Sequence, residues 1–174
     1  MSGRGRGSWL GRVFSTDHKV VGLQYGFTAS AFLLLGFVLM LVMRRQLAYP
    51  GEALPWIASL LGEARALGGV MAPECYNQLG AMHGTIMVFL AIVPLVAGAF
   101  GNYLVPLQIG AADMAFPRLN MLSYWIYLAG GVLMVSSFFA PGGAAAAGWT
   151  SYPPLASVAT VGQTLWLLAM LALI

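Results

Sequence analysis

Charge is what this sequence has least of. Lys, Arg, Asp and Glu make up 7% of its 174 residues, against about 25% in an ordinary soluble domain. Hydrophobic residues make up 60%. A water-soluble domain with that balance would precipitate, so the chain is an integral membrane protein. The net charge of +3 is too small and too scattered for a nucleic-acid surface. The single cysteine, Cys75, excludes an internal disulfide and any Cys-x-x-Cys metal pair. No asparagine stands in an Asn-x-Ser/Thr sequon, and histidine occurs only as His18 and His83.

What the sequence has instead is apolar length. A basic head (Arg4, Arg6, Arg12, Lys19) precedes an apolar run from Val20 to Met43. That run is longer than the roughly 7–15 residues of a signal h-region, and no Ala-x-Ala cleavage site follows it. It reads as helix I, about 20–43, with Ser15-Thr16-Asp17 supplying N-cap chemistry and Arg44-Arg45 closing it. The 46–79 loop is broken by Pro50-Gly51 and Pro55, and its Trp56–Leu61 stretch fits a short interfacial helix. Helix II is expected over about 79–105, kinked at Pro94, with Ala97, Gly98 and Gly101 as a small-residue packing face. Helix III follows over about 119–140, and helix IV begins near 157 and stops at Ile174 without a polar end. The expected fold is all-α: a polytopic transmembrane bundle of three full spans and the start of a fourth, one transmembrane domain over 1–174. An end in mid-helix predicts a chain that is incomplete or continues in a separate polypeptide.

Two polar residues bracket helix II. From Gly84 to Gly101 no charge occurs, and His83 to Tyr103 rises roughly 30 Å, the thickness of a hydrocarbon core. His83 is therefore expected near one face and Asp113 near the other. Arg4, Arg6, Arg12, Lys19 and Arg118 on one side outnumber Arg44, Arg45 and Arg65 on the other. That bias puts the N-terminus and Asp113 in the cytoplasm.

A histidine in a transmembrane helix is costly unless paired or liganded. His83 reads either as a heme-iron ligand whose second ring N–H is held by an acceptor, or as an interfacial residue satisfied by water or a loop carbonyl. His18, between Asp17 and Lys19, reads as a solvated interfacial residue. Asp113 reads either as a partner of Arg118 or as a proton collector feeding Asn102, Asn120 and Ser123, sparse polar positions suited to a water-filled path. The methionines and aromatics read as packing and interface anchors.

Several motifs occur in a fixed order: Ser15–Lys19 (STDHK), Met82–Met87 (MHGTIM), Gly101–Pro106 (GNYLVP), Ile109–Asn120 (IGAADMAFPRLN) and Gly148–Pro154 (GWTSYPP). Together they resemble the N-terminal third of subunit I of heme-copper terminal oxidases, the aa3-type cytochrome c oxidase branch best. The resemblance runs from Phe14 onward and implies part of a twelve-helix fold. It implies that His83 is an axial ligand of the low-spin heme a, that Arg44 contacts that heme's formyl group, and that Tyr76 and Trp149 lie near its propionates. It also implies that Asp113, Asn102 and Asn120 form the mouth of the D proton pathway. Three positions depart from the family pattern. Met121 stands where a second asparagine is common, Gln46 where a cation-holding glutamate is common, and Ala112 replaces a proline.

The family's remaining histidines, which hold the copper and the oxygen-reducing heme, lie beyond helix IV, so this segment is not catalytically competent alone. The implied function is that of part of a proton-pumping cytochrome c oxidase, reducing O2 to water. Implied partners are the remainder of subunit I, subunits II and III, cytochrome c and membrane lipid. The implied location is a bacterial plasma membrane, ahead of the mitochondrial inner membrane. A quinol oxidase of the same superfamily and a heme-free membrane remnant stand as alternatives.

Overall fold

The computed structural model describes residues 11, 13–62, 65–158 and 161–174. Arg4, Arg6 and Arg12, on which the expected orientation rests, lie outside the described residues. The described chain is helical, and three of its helices are long and apolar enough to cross a membrane.

Helix α1, His18–Ala48, starts where the N-cap chemistry places it: the Asp17 carboxylate accepts from the Lys19 N–H at 2.8 Å. It runs past Arg44-Arg45 because those charges do not end it. Arg45 reaches Glu52 at 2.6 Å and lies 4.0 Å over the Tyr49 ring, so its head leaves the helix while its stem stays against it. Helix α2, Pro55–Leu61, opens on a proline at its first turn and closes at Gly62, whose φ of 91° suits glycine. It inserts Ile57 into the core.

Helix α3, Pro73–Ile109, is 37 residues long and begins earlier than hydropathy alone suggests. Pro73 at its first position and Glu74 in its first turn are favourable N-terminal residues that a hydropathy scan counts against a span. The helix widens into π-type turns over Ile86–Ile92 and Pro94–Phe100 and returns to α geometry over Gly101–Ile109. Pro94 thus loosens the ladder on both of its sides. Gly110, at φ 70°, ends it.

Helix α4, Pro117–Ser136, finishes in a 3₁₀ turn, Ser137–Phe139, and α5 covers Val161–Leu173. The two pack closely at Gly130, where a Cβ would lie 3.2 Å from the Ala169 carbonyl oxygen and the Ala172 Cβ. Helices α1 and α3 run antiparallel, since Gly22 faces Ala99 and Tyr103, Gly36 faces Met87, and Gly80 faces Met43. Val21, Met82, Ile86, Leu90 and Met134 fill the shared core. Only 22%, 33% and 39% of the apolar windows of α1, α3 and α4 are buried. Most of their apolar surface is left uncovered by this chain, the reverse of a soluble bundle.

Candidate functional site

His83 sits on α3 opposite the middle of α1, and its Nδ1 lies 2.8 Å from the Gly36 carbonyl oxygen. A carbonyl only accepts, so Nδ1 carries the proton and donates. In the neutral ring, Nε2 then keeps its lone pair. Gly36 makes the approach possible, because a Cβ there would lie 2.6 Å from the Met87 sulfur. Beside His83, a Cβ on Gly84 would meet nothing within 4 Å. A half-buried imidazole whose Nδ1–H is held by a carbonyl keeps Nε2 as the nitrogen that would bind a metal ion.

Tyr76 is seven positions before His83 and shares its helix face. Arg44 is exposed and follows Met43, whose methyl faces Gly80, so it stands about one helical turn from the His83 level. The loop carrying Trp149 lies against the same stretch of α3: Gly148, Ala146 and Leu155 share a small cleft with Asn77 and Ala81. The Trp149 ring itself is exposed and approaches Phe89, at 6.2 Å between centroids. Arg44 and Tyr76 thus lie within about two helical turns of His83 along α1 and α3, and Trp149 meets α3 at Phe89, on the other side of His83. Among the described residues, no group of three or more His, Cys, Asp and Glu is placed to hold a metal ion.

The second cluster lies at the opposite end of the α1–α3 pair. A cleft of about 750 Å³ is lined by Tyr25, Asn102, Met114, Asn120, Ser123 and Tyr127 among others. Asn102 is 5% exposed. Its Nδ2 donates to the Gly98 carbonyl at 2.6 Å, while its Oδ1 is buried without a partner. Asn120 Nδ2 is likewise buried and unpartnered. Ser123 Oγ donates to the Asn120 carbonyl at 2.7 Å and lies 3.0 Å from Tyr25 Oη, so the tyrosine hydroxyl donates to the serine. Two unpaired amide atoms beside a space far larger than one water are the setting in which ordered water is held.

Asp113 lies just outside this cleft. It is exposed, accepts from the Met114 N–H at 2.8 Å, and lines a neighbouring hollow of about 420 Å³ with Thr16 and Arg118. Among the described residues Asp113 and Arg118 form no ion pair; the pair present is Arg45 with Glu52. The structure therefore brings Asn102, Asn120 and Ser123 together and leaves Asp113 beside them, with Met114 between.

One expectation is corrected. His18 is not solvated: it is 2% exposed, with Nδ1 2.8 Å from the Asn102 carbonyl oxygen. Its charged neighbours masked this, since Asp17 and Lys19 point out while His18 turns toward α3 on the face of Gly22. Tyr25 and Tyr127 also went unrecognised as cleft-lining groups. The available signal was that a tyrosine within an apolar helix needs a partner for its hydroxyl.

Residues 20–174 match the family model described as cytochrome c and quinol oxidase polypeptide I. The chain is 46% identical over 159 residues to cytochrome c oxidase subunit 1 of Thermostichus vulcanus, covering 91% of this chain and 26% of that protein. It is 51% identical over 143 residues to a putative cytochrome c oxidase subunit 1-beta of Streptomyces coelicolor, covering 82% and 22%. It is 44% identical over 168 residues to an alternative cytochrome c oxidase subunit 1 of Bradyrhizobium diazoefficiens, covering 96% and 26%. The chain thus spans about a quarter of the length of these relatives.

Proposed function

This chain belongs to the cytochrome c and quinol oxidase polypeptide I family, and on that premise we propose that it is one membrane-embedded part of the catalytic subunit of a proton-pumping terminal oxidase. Its share of the work is twofold: to supply one axial ligand of a low-spin heme a through His83, and to form the mouth of the D proton path with Asp113, Asn102 and Asn120. The observation that carries the reading is the His83 geometry, with Nδ1–H committed to Gly36 and Nε2 left for a ligand bond.

The bound heme would supply one-electron transfer. The chain's own residues do the rest. Gly36 fixes the tautomer and ring plane of His83 and raises the basicity of the ligating nitrogen. Arg44 and Tyr76, within about two turns of His83, would offer a cation and a hydroxyl, and Trp149 a ring N–H from the adjoining loop, for the polar edge of a macrocycle. At the other end, the Asp113 carboxyl stands at the cleft mouth as the group that collects protons from the water outside. Asn102 Oδ1 and Asn120 Nδ2 present one acceptor and one donor to water in the cleft, and Ser123 with Tyr25 extends the polar lining along α1.

Cytochrome c is the electron donor on this reading, because the relatives carry cytochrome c oxidase names. Subunits II and III and the remainder of subunit I are the partners. The oxygen-reducing heme and copper belong to that remainder. The location is a bacterial plasma membrane with the N-terminus in the cytoplasm. The test is oxygen consumption by the purified complex that contains this chain, driven in turn by reduced cytochrome c and by a quinol, with proton release followed in vesicles. Consumption with cytochrome c and outward proton release is the expected result. Consumption with quinol alone would assign the quinol branch, and none with either donor would leave a membrane remnant.

A further inference from the structure

His18 takes no part in the reading above, yet it is one of the most buried polar residues of the chain, and it is bonded to the backbone of a residue that does take part. We propose that His18 is a positioning residue: its Nδ1–H replaces the backbone N–H that Pro106 lacks, and so fixes Asn102 in the cleft. The proposal rests on the proton-path reading of Asn102.

The argument begins with the helix ladder. In an α-helix the carbonyl of residue i takes the N–H of residue i+4. For Asn102, within the Gly101–Ile109 segment, that residue is Pro106, which has no N–H to give. A buried carbonyl left without a donor is costly, because it has given up water and gained nothing. His18 Nδ1 lies 2.8 Å from that oxygen, and because the oxygen only accepts, the histidine donates.

A side-chain donor also reaches α3 near its other interior proline, where Tyr127 Oη donates to the Leu90 carbonyl at 2.7 Å. There the helix runs in π-type turns, so the four-residue rule that singles out Asn102 does not apply to Leu90.

The approach of α1 is built for this bond. Gly22 lies one turn after His18 on the same face, and a Cβ there would sit 3.2 Å from the Ala99 oxygen and from the Tyr103 nitrogen. Only a glycine brings α1 close enough for the short imidazole to reach α3. The consequence falls on Asn102. With its carbonyl held by His18 and its Nδ2 bonded to Gly98, the side chain holds Oδ1, which has no protein partner, in place for water in the cleft.

The experiment is a mutant cycle in the assembled complex containing this chain, read by the rate of proton uptake from the cytoplasmic side with a pH-indicator dye and by thermal melting. The forms are wild type, His18→Leu, Pro106→Ala and the double variant. His18→Asn is added because its Nδ2 takes the place of imidazole Nδ1. His18→Leu is expected to slow uptake about tenfold, the equivalent of about 1.4 kcal/mol. His18→Asn is expected within about twofold of wild type. In the double variant the restored N–H of residue 106 should return uptake to the level of Pro106→Ala alone. Additive effects, or His18→Asn as slow as His18→Leu, overturn the proposal. Asp113→Asn, measured in parallel, separates this from the path reading. If Asp113→Asn leaves uptake unchanged, the path reading fails, and the melting cycle decides: coupling between positions 18 and 106 supports the donor exchange and additivity overturns it. If His18→Leu does not assemble, assembly recovered both in His18→Asn and in the double variant supports the proposal, and recovery in neither overturns it.

Discussion

The two histidines make the same bond and serve opposite ends. Both place Nδ1 2.8 Å from a backbone carbonyl of the facing helix, His83 on Gly36 and His18 on Asn102. The acceptors differ. Gly36 lies inside the unbroken α1, where residue 40 is a methionine with its N–H intact, so the carbonyl keeps its ladder partner and the histidine bond is an extra one. Asn102 lies four residues before Pro106 and has lost that partner. The surroundings differ too, since His83 is half-buried beside open space at Gly84 while His18 is 2% exposed. On the proposed reading, the extra bond to a satisfied carbonyl orients the His83 ring for an outside ligand, and the bond to an orphaned carbonyl completes the helix at His18. Some 27 Å of α1 separates His18 from Gly36 at about 1.5 Å per residue, so the two jobs do not interfere.

The largest way to break this comparison is at the cleft beside His18. Asp113→Asn keeps size and removes charge, and on the proton-path account turnover of the complete enzyme falls by more than about tenfold with pumping lost, while heme content stays normal. Each tenfold is about 1.4 kcal/mol of barrier. An Asp113 that served only as a surface partner would be worth about 0–1 kcal/mol and would leave pumping in place. Retained pumping in a steady-state proton assay therefore removes Asp113 from the path.

A smaller effect sharpens the His83 half. Gly36→Ala puts a methyl group 2.6 Å from the Met87 sulfur and 3.0 Å from its Cγ, so Met87 must yield and the acceptor of His83 shifts with α1. Overpacking of this kind costs about 1–3 kcal/mol. Lower thermal stability with a shifted low-spin heme band is expected, and an unchanged band would separate the ring orientation from Gly36.

The smallest effect comes at the π-type turns of α3. Tyr127→Phe removes the donor to Leu90 and is expected to lower stability by about 1 kcal/mol, read by melting of the complex.

Much of this was legible in the sequence. Three spans follow from apolar length and the scarcity of charge, and His83 stands out as the histidine inside one of them, with Asp113 just past its end. The ends of the helices were less legible, because a favourable N-terminal pair such as Pro73-Glu74 and a side chain that turns out of the helix, such as Arg45, both look like breaks to a hydropathy scan. His18 was misjudged for a tertiary reason. Its burial depends on Gly22 allowing α1 to approach α3, and its partner depends on a proline 88 positions later in the chain. The alternatives for Asp113 stay open in the sequence, and among the described residues Arg118 shares its hollow without pairing with it.

The central claim, that one histidine is a ligand and the other a helix partner, is tested most directly by reduced-minus-oxidised absorbance spectra of two variants of the assembled complex, His83→Leu and His18→Leu, recorded side by side at equal protein. The account predicts that the low-spin heme band is absent from the first and present at normal intensity in the second. A normal low-spin band in His83→Leu, or its loss in His18→Leu alone, would contradict it.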